Sequence, residues 1–199
     1  MVNHSVIKSK FKISIRRSST DNFPISAKHG GRNMLGEVFR ALSLNKGAEI
    51  GVKRGAYSKI LCLANPDIEL TCVDQWRGNN TPHNLQPKQD KNFRRAVKAL
   101  SKFNVKFLRK TSMDALADFE DESLDFVYID ANHEFDYVCP DIIFWSQKVR
   151  SGGIIACHDY FNHLRGGVVK AVDAYVNCHN ITPWYVTLEL YPTAFWVKP

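Results

Sequence analysis

The sequence lacks the features that mark several specialised classes of protein. No apolar run among its 199 residues approaches the ~20 that a membrane-spanning helix needs. No apolar segment of the kind found in secretory signals lies near Met1. The five cysteines are scattered without a Cys-x-x-Cys pair, which is typical of reduced, structural thiols. We therefore expect a cytoplasmic protein without a membrane segment.

The excess of positive charge is confined to the beginning of the chain. Residues 1–54 contain eleven Lys/Arg against three Asp/Glu, whereas residues 55–199 contain sixteen against seventeen. We interpret residues 1–32 as a basic N-terminal arm, solvated and partly flexible, and residues 33–199 as a single domain. Lysines alternate with apolar residues between Ile7 and Ile15, and this period of two predicts a strand within the arm. An acidic partner such as nucleic acid is the alternative use of the arm.

Strand-like and helix-like patterns alternate from residue 33 onwards. Amphipathic helical segments separate five short apolar runs, which we predict as strands: Ala48–Ile50, 70–73, Val105–Leu108, Leu124–Ile129 and Ile154–Cys157. This order predicts a doubly wound α/β domain with a mostly parallel sheet. Two further apolar runs, 184–188 and 194–197, predict a C-terminal antiparallel hairpin, and the polar segment 77–90 predicts a long loop.

The turn after the first predicted strand has the spacing of a nucleoside-binding crevice. Glu49-x-Gly51-x-x-x-Gly55 is followed at the end of the second strand by Asp74, which is placed to accept both ribose hydroxyls. A dinucleotide site requires Gly-x-Gly-x-x-Gly, but Lys53 stands at the middle position. Glu49 also places a negative charge where a phosphate would lie. The pattern favours a ligand without phosphate and with a positive end, such as S-adenosylmethionine; the alternative is a plain turn with packing glycines.

A second group of polar residues follows the fourth and fifth predicted strands. Asp130 and His133 come after the fourth strand, and His158 and Asp159 come after the fifth. Ligands of open α/β sheets bind outside the carboxyl ends of the strands, where these side chains would converge if the strands are neighbours. Two carboxylates brought close together repel unless a cation neutralises them. A divalent metal ion or the sulfonium of the cofactor would do so.

These motifs together resemble those of a known enzyme family. Tyr-Ile-Asp-x-x-His, then Gly-Gly-Ile-Ile-x-x-His-Asp-Tyr and Gly-Val-x-x-Ala-Val, are similar to class I (Rossmann-like) S-adenosylmethionine-dependent methyltransferases. The resemblance is to the small-molecule and sugar O-methyltransferases that include macrolide-sugar methyltransferases and cephalosporin hydroxylase-like proteins. It runs from about Gly47 to Lys198 and is strongest over residues 125–172. It implies a Rossmann-like methyltransferase domain over residues 33–199.

The resemblance also implies roles for the second group of residues. It makes Asp130 and Asp159 ligands of a divalent metal, Mg²⁺ or Mn²⁺, and His133 the base that takes a proton from the acceptor hydroxyl. His158 stands where the family has a glutamate. With His158 as a third ligand, the set Asp130, His158 and Asp159 shifts toward Mn²⁺, Fe²⁺ or Zn²⁺, or loses the metal altogether.

Other candidate residues have an ordinary structural alternative. Ser112 is expected beside the adenine or as a helix N-cap. Trp76 is expected to cover the adenine or to serve as a packed anchor, and Tyr57 to flank the methionine end of the cofactor on resemblance alone. His83 and Arg165 are expected to touch substrate or to be solvated.

Four functions are compatible with these patterns. The first is O-methylation of a hydroxyl on a small molecule or sugar. The second is a nucleic-acid methyltransferase, although no Asn/Asp-Pro-Pro-Tyr/Phe element follows the fourth strand. The third is a non-catalytic binding or scaffold protein that keeps the fold, and the last is a nicotinamide-dependent oxidoreductase, which the glycine spacing disfavours. Self-association stays open.

Overall fold

The computed structural model describes residues 2–13, 24–78, 81, 85–162 and 166–199. Seven α-helices lie within these ranges: α1 (Val2–Lys10), α2 (Met34–Ala41), α3 (Ala56–Ala64), α4 (Gln86–Leu100), α5 (Ser112–Ala115), α6 (Phe135–Lys148) and α7 (Gly167–Cys178). A short 3-10 helix, Leu116–Asp118, follows α5. The eight strands are β1 (Ile25–Ser26), β2 (Lys46–Ile50), β3 (Glu69–Val73), β4 (Val105–Leu108), β5 (Leu124–Ile129), β6 (Val149–Cys157), β7 (Trp184–Val186) and β8 (Ala194–Val197). None of the helices in these ranges has the length and apolar character needed to cross a membrane.

All eight strands join one sheet in the order β1-β7-β8-β6-β5-β2-β3-β4. The five strands β6, β5, β2, β3 and β4 are mutually parallel, and β8 runs antiparallel to both β6 and β7. The predicted doubly wound α/β sheet with a C-terminal antiparallel hairpin is thereby confirmed. Its central strand β5 reads Leu-Asp-Phe-Val-Tyr-Ile, because a strand covered by helices on both faces needs apolar side chains on both.

Each face of the sheet carries its own apolar core. Alternate residues of β5 divide between them: Phe126 and Tyr128 enter the core beneath helices α1 to α4, while Val127 and Ile129 enter the core beneath α5 to α7. The carboxyl ends of the parallel strands therefore open between two packed layers. This edge positions the polar residues described below.

The start of the chain differs from its prediction. Residues 2–10 form a helix rather than a strand, and Ile7 and Phe11 are fully buried in the same core as the sheet. The ring of Phe11 packs 5.3 Å from that of Phe195. The four-residue spacing of Ile7 and Phe11 also suits a helix, so the period of two was misleading. A solvated arm is thus wrong for α1, while the domain division at residue 32 stays a prediction.

Candidate functional site

The turn between β2 and α3 is shaped by close approach of the chain to itself. Gly51 has φ +92°, and a Cβ added there would lie 2.1 Å from the carbonyl oxygen of Asp130. Gly55 has φ +73° and precedes α3 in the left-handed conformation that favours glycine. Both glycines are therefore explained by the backbone, and their contact with a cofactor stays a prediction.

Glu49 lies near the end of β2 and is buried, with 1% of its surface exposed. The Oγ of Ser58 donates a hydrogen bond to its carboxyl group. Burial, with smaller contributions from the charges of Asp130 and Asp74, raises the pKa of Glu49 to about 8, against the opposing effects of the Ser58 hydrogen bond and of Arg32. The carboxyl is consequently mostly protonated at neutral pH in the protein alone. The expected fixed negative charge is wrong for that state.

Asp74 follows β3 and binds the backbone of the neighbouring turn. Its Oδ2 accepts hydrogen bonds from the N–H groups of Val52 (3.1 Å) and Lys53 (2.8 Å). Its Oδ1 accepts one from the N–H of Trp76 at 2.8 Å. The carboxylate therefore holds the glycine turn against the end of β3. Ribose binding by Asp74 stays a prediction.

Trp76 is fully buried, which contradicts its expected place over an adenine ring. Its indole packs 4.8 Å from the ring of Phe93 and 6.1 Å from that of Phe107, and Nε1 donates to the carbonyl of Lys53 at 2.8 Å. No face of the ring is left for a ligand. The alternative expectation, a packed hydrophobic anchor, describes it.

Arg32 is a member of this site that the sequence did not reveal. Its guanidinium lies 4.8 Å above the ring of Tyr57, and its Nη1 is 3.3 Å from both Asp130 Oδ2 and Tyr128 Oη. Tyr57 is itself buried, and its hydroxyl donates to the carbonyl of Arg32 at 2.9 Å. The charge of Arg32 was assigned to the basic arm, and no motif around it signals contact with β5. Tyr57 as a neighbour of the cofactor's methionine end stays a prediction.

Ser112 belongs to a small polar network between α5 and α6. Its hydroxyl donates to Asp141 and accepts a hydrogen bond from Trp145 Nε1 at 2.8 Å. The N-cap of α5 is Thr111, whose Oγ1 accepts from the N–H of Asp114, so the N-cap alternative for Ser112 is wrong. Burial raises the pKa of Asp141 to about 6, against the hydrogen bond from Ser112. Adenine contact by Ser112 stays a prediction.

The second group of polar residues does converge, because β5 and β6 are neighbours with Ile129 opposite Cys157. His133 Nε2 lies 2.9 Å from Asp159 Oδ2 and 3.8 Å from Asp130 Oδ1. His158 Nδ1 lies 3.3 Å from Asp159 Oδ1 and 3.5 Å from Asp130 Oδ1. The two imidazoles thus lie between the two carboxylates. We call these four residues the acid–imidazole cluster. His83 and Arg165 lie outside the described residues.

The charges of this cluster stabilise one another. The interactions with Asp130 and Asp159 raise the pKa of His133 to about 9. Burial opposes protonation of His158, but the same two carboxylates raise its pKa to about 9 as well. Burial acts against ionisation of Asp130 and Asp159, yet the imidazoles lower the pKa of both. At neutral pH His133 is therefore mostly protonated in the protein alone and must lose a proton before it can act as the base.

The cluster also contains a set of atoms that fits a metal ion. Asp130, His133 and Asp159 each offer one ligand atom, and these atoms lie within 4.8 Å of one another. Two carboxylates with one imidazole suit Mn²⁺, Fe²⁺ or Zn²⁺ as well as Mg²⁺. The expected imidazole ligand, His158, is not in this set, whereas the expected base, His133, is. Metal binding stays a prediction, and the geometry favours a different imidazole for it.

Comparison with known proteins identifies what the chain is similar to. A family model described as a methyltransferase domain matches residues 48–160. No curated protein matches by sequence. Among solved structures, one described as a caffeoyl-CoA O-methyltransferase from Staphylococcus aureus has a TM-score of 0.62 and 14% identity, covering 100% of this chain and 93% of that one.

Two further structures are those of O-methyltransferases. The O-methyltransferase NovP has a TM-score of 0.62 and 18% identity, with coverage of 83% of this chain and 77% of its own. The O-methyltransferase TomG from Streptomyces achromogenes, involved in tomaymycin synthesis and solved with S-adenosylmethionine, has a TM-score of 0.60 and 15% identity, with coverage of 99% and 89%. At such low identity these three structures establish the fold.

Proposed function

Because this chain belongs to the methyltransferase domain family, we propose that it transfers the methyl group of S-adenosylmethionine to a hydroxyl group on a small molecule or sugar. The observation that carries the choice of a hydroxyl is the acid–imidazole cluster at the ends of β5 and β6. A neutral hydroxyl must lose its proton as it attacks the methyl group. An acid–imidazole pair at the site is suited to receive that proton.

The acidic strand ends support the choice of methyl donor. Glu49, Asp74 and Asp130 stand at the ends of β2, β3 and β5, three adjacent strands of the sheet. The sulfonium and amino groups of S-adenosylmethionine are cationic, and their approach favours the ionised form of nearby carboxyls. The carboxylate of Asp74 already accepts hydrogen bonds from three backbone N–H groups. Ribose hydroxyls would donate to the same carboxylate. In the protein alone Arg32 forms an ion pair with Asp130. When the donor binds, Arg32 would either stay close to the donor's positive charge or move away from Asp130.

His133 is the proposed proton acceptor, with Asp159 holding its ring. Methyl transfer is an in-line displacement in which the enzyme mainly aligns the donor and the acceptor. The acceptor proton passes to His133 only after the imidazolium has lost one of its two ring protons, since the pKa of His133 is about 9. Turnover in the absence of a metal ion should therefore rise with pH up to about 9.

A divalent metal is a second part of the proposal. Asp130, His133 and Asp159 would hold it, and Arg32 would have to leave Asp130. When bound, such an ion lowers the pKa of a coordinated hydroxyl and orients it. If His133 ligates the ion, it does not also serve as the base. The roles of ligand and base are thus alternatives for this residue.

Calorimetric titration with S-adenosylmethionine, with and without Mg²⁺ or Mn²⁺, tests the donor site. Asp74→Ala should weaken binding by about 1.5–3 kcal/mol, or roughly ten- to a hundredfold, through loss of charge-assisted hydrogen bonds. Asp67→Ala removes an exposed acid from the turn before β3 and is the matched control. Unchanged affinity in the Asp74 variant would refute the ribose assignment. No binding by the unaltered protein would favour the scaffold function.

Turnover with a panel of hydroxylated acceptors, followed by release of S-adenosylhomocysteine, tests the cluster. His133→Ala should abolish turnover and leave donor binding nearly intact. His29→Ala, which removes an exposed imidazole, should change neither. Turnover that survives loss of His133 would contradict its assignment. The cytoplasmic location and self-association stay predictions.

A further inference from the structure

The sheet edge opposite β1 carries a concentration of positive charge that the proposed reaction does not use. Residues 86–110, which include α4 and β4, contain nine Lys/Arg against one Asp/Glu. Residues 111–199 contain five against thirteen. The folded domain is thus strongly basic along one edge, independently of the N-terminal arm.

Five of these cations form one row, which we call the α4 stripe: Lys88, Lys91, Arg95, Lys98 and Lys102. Their spacing of three and four residues places them on one side of the helix. All five are exposed, whereas Asn92, Ala96 and Leu100 form the buried side. At 1.5 Å per residue the stripe runs about 15 Å from Lys88 to Lys98 and continues into the following turn.

A groove of about 460 Å³ lies beside the stripe, between α3 and α4. Its lining includes Lys59 from α3 together with Arg95, Lys98 and Lys102, and no acidic residue. None of these four cations takes part in an ion pair within the described part of the chain. The only acid of α4, Asp90, pairs with Arg109 instead.

This charge pattern differs from that of an ordinary solvated helix face. Such faces intersperse both signs, because like charges three or four residues apart destabilise a helix. Arg95, Lys98 and Lys102 keep this repulsion without an ion pair to any described residue that would supply a counter-charge. An external polyanion would supply that counter-charge.

We propose that the α4 stripe and its groove bind the phosphodiester backbone of single-stranded nucleic acid. One row of cations at regular intervals matches one linear chain of phosphates better than a compact anion. The apolar side of α4 is already packed into the core, so the helix offers no apolar face for a lipid bilayer. Binding rests on phosphate contacts and is therefore independent of sequence and strongly sensitive to salt.

Fluorescence anisotropy with a labelled 20-nucleotide single-stranded RNA, measured from 50 to 200 mM NaCl, tests the proposal. Five phosphate contacts predict a slope of log K against log [NaCl] of about −3.5, or roughly a hundredfold loss of affinity over this range. Lys98→Glu with Lys102→Glu should reduce the slope to about −2 and weaken binding at least tenfold at 100 mM NaCl.

The matched control makes the same change of charge in the predicted arm, through Arg16→Glu with Arg17→Glu. It should retain binding within a factor of two or three. Lys91→Gln with Arg95→Gln provides a neutral second variant, should the charge reversals prevent folding. The proposal is overturned if the unaltered protein does not bind RNA, or if only the arm variant loses binding. It is equally overturned if the stripe variants lose binding to phosphatidylserine vesicles but not to RNA.

Discussion

Replacement of Glu49 by glutamine should make the stability of the protein less dependent on pH. An ordinary glutamate has a pKa near 4.5, and burial raises that of Glu49 to about 8. Between these values the folded state holds one proton more than the unfolded state, so the free energy of unfolding falls as pH rises. The slope for one group is about 1.4 kcal/mol per pH unit, or about 3–4 kcal/mol between pH 5 and pH 8.

Urea unfolding of both proteins at pH 5, 6, 7 and 8 measures this contribution. Glutamine can accept the hydrogen bond of Ser58, and its amide adds a cost that does not vary with pH. The variant should therefore gain on the unaltered protein by about 1.0–1.4 kcal/mol for each pH unit, or about 3–4 kcal/mol between pH 5 and pH 8. All other titrating groups are common to both proteins and cancel in the difference. A difference that stays constant within about 0.5 kcal/mol would refute the raised pKa.

The carboxyl group of Glu49 also links binding of the methyl donor to release of a proton. At pH 7 a group with a pKa of about 8 is about nine-tenths protonated. A cationic ligand close to Glu49 should expel most of that proton. Calorimetry of S-adenosylmethionine binding in buffers of different ionisation enthalpy should thus report nearly one proton released, and none for Glu49→Gln. Equal release by both proteins would place the ligand's charge elsewhere.

Three further substitutions test separate parts of the site. Gly51→Ala brings a methyl group 2.1 Å from the carbonyl of Asp130 at a φ of +92°, and should cost several kcal/mol in urea unfolding; a loss under about 1 kcal/mol would contradict the geometry. Trp76→Ala should lower the free energy of unfolding by about 3–5 kcal/mol. It should leave the affinity for the donor unchanged at a temperature where the variant is folded. Weaker donor binding without a loss of stability would instead support contact between Trp76 and the adenine. Asp159→Asn should lower the pKa of His133 from about 9, moving the rise of activity to lower pH; an unmoved profile would exclude His133 as the titrating group.

The sequence was informative where one physical cause dominates. Strand β5 was bounded correctly because burial on both faces demands an unbroken apolar run. The meeting of Asp130 with His158 and Asp159 followed from the rule that parallel strands end at one edge. Arg32 was missed because its contacts with Tyr57 and β5 depend on the path of the chain, to which residue spacing gives no access.

The residues whose predictions were wrong lie in sequence patterns that fit two different structural settings. Trp76 follows a strand end whether it covers a ligand or closes a core, and only its full burial separates the two. Glu49 is an acid in either setting, but burial decides its charge. Ile7 and Phe11 satisfy both a strand and a helical period, and their shared burial reveals the helix.

The packing of Phe11 on Phe195 ties together two ends of the chain that are synthesised far apart in time. A ribosome adds about 5–20 residues per second, so roughly 10 to 40 s separate the synthesis of these two rings. During that interval α1 can pack on α2, but Phe11 lacks its partner Phe195. We expect α1 to be exposed to chaperones on the nascent chain, and the folding of its layer to finish only after β8 has left the ribosome.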